Sequence, residues 1–303
     1  PLGSCTMKYN PKINEELSGL AGFAKAHPLA GDDATQGCLR AMAEVQRLLA
    51  EIDKEMAAHD RLEAQTLRAL RAGRVRFPAS DGAMLGGVLL QVDAPRRRAA
   101  IVLMAPEDSL PEYDSLAVAL RTAGFAILLV DTRGSGWSVS SAVPQPDTWD
   151  GREDRLHART ARDVADAIAA LAVRTEADTS RCLLVSSGST ASMAVQAAAL
   201  DRRIAALVLV SPRPAAVERG PMRARLARRQ IPVFYQVGPE DFENADLVDA
   251  WYQAGNRRQS RVAEARAVGH GPGQFGFDPA VPARLIRWLN ENWGAAAARP
   301  TRR

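Results

Sequence analysis

Three residues in the second half of the chain, Ser189, Asp241 and His270, are of the types needed for acyl transfer. A serine hydroxyl attacks a carbonyl only when a nearby base takes its proton, and an imidazole does this best when a carboxylate fixes its tautomer. Ser189 lies in Ser187-Gly188-Ser189-Thr190-Ala191, between a strand-like run ending near Ser186 and the helix-like Ser192-Met193-Ala194-Val195. Small neighbours let a sharp turn present the hydroxyl to a substrate, although a serine-rich structural turn accounts for the same residues. The strand Pro232 to Val237 runs into Gly238-Pro239-Glu240-Asp241, and the strand Val262 to Val268 into Gly269-His270-Gly271. Asp241 is expected to orient His270, with Glu240 as the alternative acid. His270 is expected to act as base and then acid toward Ser189. A histidine between glycines is also the composition of an ordinary surface turn.

These residues need a scaffold that brings strand ends together, and the pattern after Gly73 supplies one. Val75 and Phe77 alternate with arginine, and Met84 to Val92 follows the Asp81-Gly82 turn. Strand-like runs recur at Ala100 to Ala105, Ala126 to Asp131, Cys182 to Ser186, Ala206 to Val210, Val233 to Val237 and Val262 to Val268. Between them lie amphipathic segments marked by Leu116 and Leu120, by Val164, Ile168 and Leu171, by Met193 to Leu200, and by Leu285, Trp288 and Leu289. Apolar strands alternating with such helices predict a mostly parallel eight-stranded sheet covered on both faces, with ligands at the strands' carboxyl ends. Upstream, Met42, Val45, Leu49, Ile52 and Met56 form one helical stripe from Asp33 onward. The stripe lapses at His59 and Glu63, and a second helical stretch around Leu67 and Leu70 is expected to end at Gly73. The helix is expected to pack on the neighbouring domain; pairing of the 34–72 helix into a homodimer is the sharper alternative.

The 303 residues are 47% hydrophobic and 24% charged, enough to bury one large core or two modest ones. The longest apolar runs, such as Ile204 to Val210, fall far short of the roughly 18 to 20 residues of a membrane span, so no span is expected. The opening residues show no charged start before an apolar stretch and do not read as a secretory signal. Cys5, Cys38 and Cys182 lack paired spacing, which points away from disulfides or a zinc site and toward a reducing, cytoplasmic setting. The net charge of +4 sits in clusters such as Arg96 to Arg98 and Arg223 to Arg229, without the interleaved aromatic residues that stack bases. No nucleic-acid partner is expected.

The segment Asp131-Thr132-Arg133-Gly134-Ser135-Gly136-Trp137-Ser138 resembles the Asp-x-Arg-Gly-x-Gly-x-Ser stretch after the fourth strand of α/β-hydrolases. With the Ser189 turn, the Gly-Pro-Glu-Asp loop and Gly-His-Gly, the resemblance covers residues 74–294. It implies a three-layer α/β-hydrolase domain, preceded here by a helical N-terminal segment, that cleaves an ester, thioester or amide of a small acyl substrate through an acyl-enzyme. It implies no metal and no organic cofactor. In that family the loop after the third strand commonly begins His-Gly and supplies an oxyanion amide. Here it reads Ala105-Pro106-Glu107-Asp108, so the resemblance moves the backbone donors to Glu107 and Thr190 and sets two carboxylates nearby. Ser187 and Ala191 stand where the family's turn usually has glycine. Only a short arginine-rich helix fits between Pro212 and Ile231, too short for a lid domain.

A second resemblance covers residues 1–52. Pro1-Leu2-Gly3-Ser4-Cys5-Thr6-Met7-Lys8-Tyr9-Asn10-Pro11-Lys12, followed by Gly22-Phe23, His27-Pro28 and Gln36-Gly37, is similar to the start of the pyridoxal-phosphate half of glycine decarboxylase. That family's cofactor fold and Schiff-base lysine come later in its sequence and have no counterpart here, and Lys8 does not match that lysine. The expected organisation is a borrowed segment (1–52), a helical linker (53–73), the hydrolase domain (74–294) and a basic tail (295–303). Two other functions remain open: a non-catalytic binding protein on the hydrolase scaffold, and an accessory or remnant of the glycine cleavage system.

Overall fold

A computed structural model describes residues 32–92, 98–140, 143, 153–239, 241, 245–265 and 270–293. The chain divides into two compact units, Pro1–Arg61 and Leu62–Arg303. The described part of the first is helical and belongs to α1 (Asp32–Ala72). The lapse in the stripe at His59 and Glu63 does not break this helix, because no proline or glycine lies between Cys38 and Ala72 and polar residues on one face leave the backbone ladder intact. Gly73 ends it, its amide donating to Ala69 O at 2.6 Å. Met42, Val45, Leu49, Ile52 and Met56 are all exposed.

The second unit is built on eight strands: β1 (Arg74–Pro78), β2 (Met84–Leu90), β3 (Arg98–Met104), β4 (Phe125–Asp131), β5 (Asp178–Ser187), β6 (Ile204–Val210), β7 (Val233–Val237) and β8 (Arg261–Glu264). They lie in the order β1-β2-β4-β3-β5-β6-β7-β8. β2 runs antiparallel to both β1 and β4, and all later pairings are parallel. The last strand ends at Glu264, before the expected Val268, and residues 266–268 of that expected strand lie outside the described ones.

The central strands carry continuous apolar runs, such as Ala99–Met104 and Cys182–Val185, because successive side chains enter opposite cores. Ile101 and Leu103 join one buried cluster with Val164, Ile168, Val195, Leu226 and Trp251; Ala100, Val102 and Met104 join the other with Leu116, Leu120, Leu285 and Trp288. The first core is covered by α3 (Glu153–Arg174), α4 (Ala191–Leu200), α5 (Ala216–Arg229) and α6 (Ala245–Ala254), the second by α2 (Asp114–Thr122) and α8 (Ala280–Trp293). A four-residue turn of helix, α7 (Gln274–Phe277), precedes α8. The connection after β6 holds only the 14-residue α5, in line with the absence of a lid domain there.

After β3 the chain passes to one neighbour, β4, and then returns to the other side as β5. Strand order thus reverses at β3 and β5, and the crevice outside their carboxyl ends is where an open α/β sheet receives ligands. The loop Ala105 to Asp108 leaves β3 there, and the turn Gly188–Thr190 leaves β5.

The Asp131 to Ser138 segment is a structural clasp. Asp131 Oδ2 accepts the Trp137 amide at 2.8 Å, and Ser138 Oγ donates to Asp131 O at 2.7 Å while accepting the Gly86 amide at 2.9 Å. Arg133 is buried and bonds Asp163 of α3 through two nitrogens, each at 2.6 Å, and Asp81 of the β1–β2 turn at 2.9 Å. Removing one partner of a buried ion pair leaves the other charge without compensation, at a cost of about 3 to 5 kcal/mol. Arg133→Met is therefore expected to lower the unfolding free energy of the chain by about that amount. Denaturant titration measures it, and a loss below about 1 kcal/mol, the range of an exposed pair, contradicts the clasp.

Candidate active site

The turn between β5 and α4 has the strand–turn–helix form of a nucleophile elbow, in which the apical residue takes a strained backbone and the next amide faces the oxyanion. The apex here is Gly188, with φ +49°; Ser189 is absent from the residues with positive φ. The expected nucleophile therefore stands one residue past the apex. For the same reason the amide following the apex belongs to Ser189 and not, as expected, to Thr190. Thr190 locks the turn instead, its hydroxyl donating to Ser187 O at 2.7 Å and accepting the Ser187 amide at 3.2 Å.

The Glu107 carboxylate fills the space that the apex leaves open. Oε1 accepts the Ser189 amide at 3.0 Å, and Oε2 accepts the Ser189 hydroxyl at 3.0 Å. A Cβ added to Gly188 would run into Glu107 Oε1. Glu107 was expected to contribute a backbone amide, with its charge close to the developing oxyanion; the carboxylate itself takes up the Ser189 amide.

The loop carrying Glu107 is pinned from inside. Asp108 N donates to Ala105 O at 3.1 Å. Buried Tyr113 accepts the Ala105 amide at 3.3 Å and donates its hydroxyl to Asp108 Oδ2 at 2.7 Å. Burial raises the Tyr113 phenol far above its ordinary range, so it stays a donor. Burial also pushes the Asp108 carboxyl up, against the pull of the Ser187 and Tyr113 hydroxyls. Of these two, Tyr113 makes the well-formed hydrogen bond, whereas Ser187 Oγ is a buried neighbour with no bond of good geometry.

Asp241 is buried and accepts three donors on Oδ2: Ser211 Oγ at 2.6 Å, the Gly238 amide at 2.7 Å and Gln274 Nε2 at 3.2 Å. Ser211 Oγ in turn accepts the Gly271 amide at 2.8 Å and Gln274 Nε2 at 2.9 Å. The acid after β7 is thus wired through one hydroxyl to the residue next to His270. Ser211 takes a left-handed backbone, φ +42°, uncommon for a residue with a side chain and a form of strain that gathers at functional sites. Gly271 closes the circle, since a Cβ there would lie 3.5 Å from Asp108 Oδ1 and 3.7 Å from Ser187 Oγ. His270 is exposed and lines an open cleft of about 550 Å³ with Glu112, Ser115 and Phe277, large enough for a small acyl ligand. Glu240, the alternative acid, lies outside the described residues. Burial raises the Cys182 thiol to about 12, which removes it as a thiolate nucleophile.

Sequence reading missed Gly188 as the apex, and with it Ser211, Gln274 and Tyr113. For Ser211 the available signal was a serine directly after a buried strand; Gln274 and Tyr113 had none beyond proximity to the loops.

Solved structures with this architecture include the Pyrococcus furiosus esterase Pf2001, with a TM-score of 0.56 at 15% identity, covering 73% of this chain and 92% of that one. A predicted CIB-like hydrolase from Thermoplasma acidophilum matches with a TM-score of 0.57 at 12% identity over 72% of this chain and 97% of that one. The acetyl xylan esterase of Paenibacillus sp. R4 gives 0.53 at 15% identity over 72% and 83%. The chain has the α/β-hydrolase fold. At these identities the likeness extends to the fold alone, and no family model matches the chain. A different similarity covers 52 residues: they are 60% identical to the probable glycine dehydrogenase (decarboxylating) subunit 2 of Desulforamulus reducens, and also to that of Halalkalibacterium halodurans. The chain spans 11% of those relatives' length, and the match takes in 17% of this chain. Among the described residues no helix is long and apolar enough to cross a membrane.

The half-buried Asp108 carboxyl makes stability depend on pH. Because the folded Asp108 carboxyl titrates above its unfolded value, the folded state favours its protonated form. That contribution is fully present below the unfolded pKa and is lost as pH rises through the folded one. Asp108→Asn keeps an oxygen for Tyr113 and cannot ionise, so it is expected to raise the unfolding midpoint at about pH 7 and to have no such advantage at about pH 3. A midpoint at neutral pH below that of the wild type contradicts this account of Asp108.

Proposed function

We propose that the chain is a hydrolase of ester, thioester or amide bonds in which His270, oriented by Asp241, moves the protons. The observation that carries this reading is the buried Asp241 carboxylate, tied by Ser211 Oγ to the amide beside His270 at the carboxyl ends of β7 and β8. An acid held in this loop, if it accepts the proton of an imidazole nitrogen of His270, holds that ring in one tautomer and stabilises its protonated form. Ser189 enters this reading as a donor to the elbow and not as the attacking oxygen, because the apex that would present a nucleophile belongs to Gly188.

A second reading, a binding protein on the same scaffold, is favoured by one specific observation: both donors of Ser189 are already satisfied by Glu107. Catalysis requires that a substrate displace or use that carboxylate, whereas binding in the His270 cleft does not.

Turnover of p-nitrophenyl acetate and S-phenyl thioacetate separates the readings. His270→Ala is expected to lower the rate by about 10²- to 10⁴-fold, the usual worth of a positioned acid–base group. Asp241→Asn is expected to lower it by up to about 10⁴-fold through the wrong tautomer. Ser189→Ala keeps the amide and loses one hydrogen bond to a charged group, so a loss of about tenfold is expected. Complete loss in Ser189→Ala returns that serine to the role of nucleophile. Wild-type rates no higher than those of His270→Ala on both substrates favour the binding protein.

A further inference from the structure

We propose that Glu107 is the attacking group of this site, and that it takes its acyl group from a thioester. The inference rests on the hydrolase reading and names its reacting residue and substrate class. An elbow presents a nucleophile at its apex, yet Gly188 offers no side chain there. The Glu107 carboxylate supplies an oxygen in that space, so close that any Cβ at residue 188 would collide with it. The two features fit one another: the glycine in the turn after β5 leaves room, and the carboxylate from the loop after β3 takes it up. Glu107 is also positioned as a reacting group should be. Its loop is fixed by Tyr113 through the Ala105 amide and Asp108, and the Ser189 amide holds Oε1. Its other oxygen is held by a hydroxyl, which turns away at little cost.

Carboxylates are established nucleophiles in covalent catalysis. Attack on an acyl carbon gives a mixed anhydride, which lies too far above an ester or an amide to form readily from either. A thioester is itself activated, and its thiolate leaves without prior protonation. A Glu107 oxygen forms the new C–O bond as the C–S bond breaks, and sulfur departs with that electron pair as thiolate. The thiolate takes a proton from protonated His270. Water then gives a proton to the neutral His270 and adds to the acyl carbon, the anhydride C–O bond breaks, and the carboxylate is restored. The balance is thioester plus water to carboxylic acid plus thiol, with no oxidant or reductant.

The test uses the full chain and S-phenyl thioacetate, quenched with hydroxylamine during turnover, followed by peptide mapping. The expected result is a hydroxamate at Glu107, together with a fall of about 10²-fold or more in Glu107→Gln, which is expected to fold as the wild type does. Turnover that persists in Glu107→Gln while still depending on His270 overturns this role and leaves the hydrolase reading standing. Turnover lost in Glu107→Gln with no hydroxamate at Glu107 makes the carboxylate a base toward water and overturns the attack. Absence of turnover above the His270→Ala level on thioester and ester alike overturns both readings.

Discussion

The pair of hydrogen bonds from Ser189 to Glu107 is the contact on which the site depends. The lack of a side chain at residue 188 leaves room for it, and it joins the loop after β3 to the turn after β5. A charged acceptor on a backbone amide at the start of a helix is a favourable arrangement, since those first amides lack partners within the helix. In the proposed reading the same contact stands in for the serine chemistry of a nucleophile elbow. The carboxylate lies where a side chain at the apex would point, and it already engages the amide that follows the apex.

Around that contact lies the hydrogen-bond network on which the proposed acid–histidine pair rests. Asp241 is buried with three donors on one oxygen, and Ser211 passes the order of that carboxylate to the backbone beside His270. Ser211 uses its hydroxyl fully, donating once and accepting twice, which explains how a left-handed serine is retained after β6. Gln274, reaching back from the helical turn α7, bonds both Ser211 and Asp241.

Most of the scaffold was legible from the chain alone, because periodicity reports burial directly. Eight apolar runs became eight strands, and the alternation of Ala100, Val102 and Met104 with Ile101 and Leu103 reflects two covered faces. Asp241 and His270 could be placed because each follows a strand. The elbow was read one residue out of register. Ser187 to Ala191 gives a small-x-Ser-x-small pattern centred on Ser189, but the pattern describes side-chain size and carries no information on φ. The cue was the lone glycine of the turn, since a left-handed apex strongly favours that residue. The carboxylate of Glu107 was unreadable for another reason: its partner lies 82 positions away and meets it only once β3 and β5 are neighbours. The helix Asp32–Ala72 runs unbroken through the lapse of its stripe at His59 and Glu63, since a change of face polarity leaves the backbone ladder intact.

The central claim is that the position of attack in this elbow is residue 188 and that Glu107 occupies it. The most direct measurement is labelling by a fluorophosphonate probe, with the labelled residue located by peptide mapping, in the double variant Gly188→Ser with Glu107→Ala. Removing the carboxylate clears the space for a Cβ, and a serine at the apex then has the Ser189 amide beside it and His270 as its base. The account predicts labelling at residue 188 in the double variant and none in the wild type. Labelling of the wild-type chain at Ser189 would contradict it.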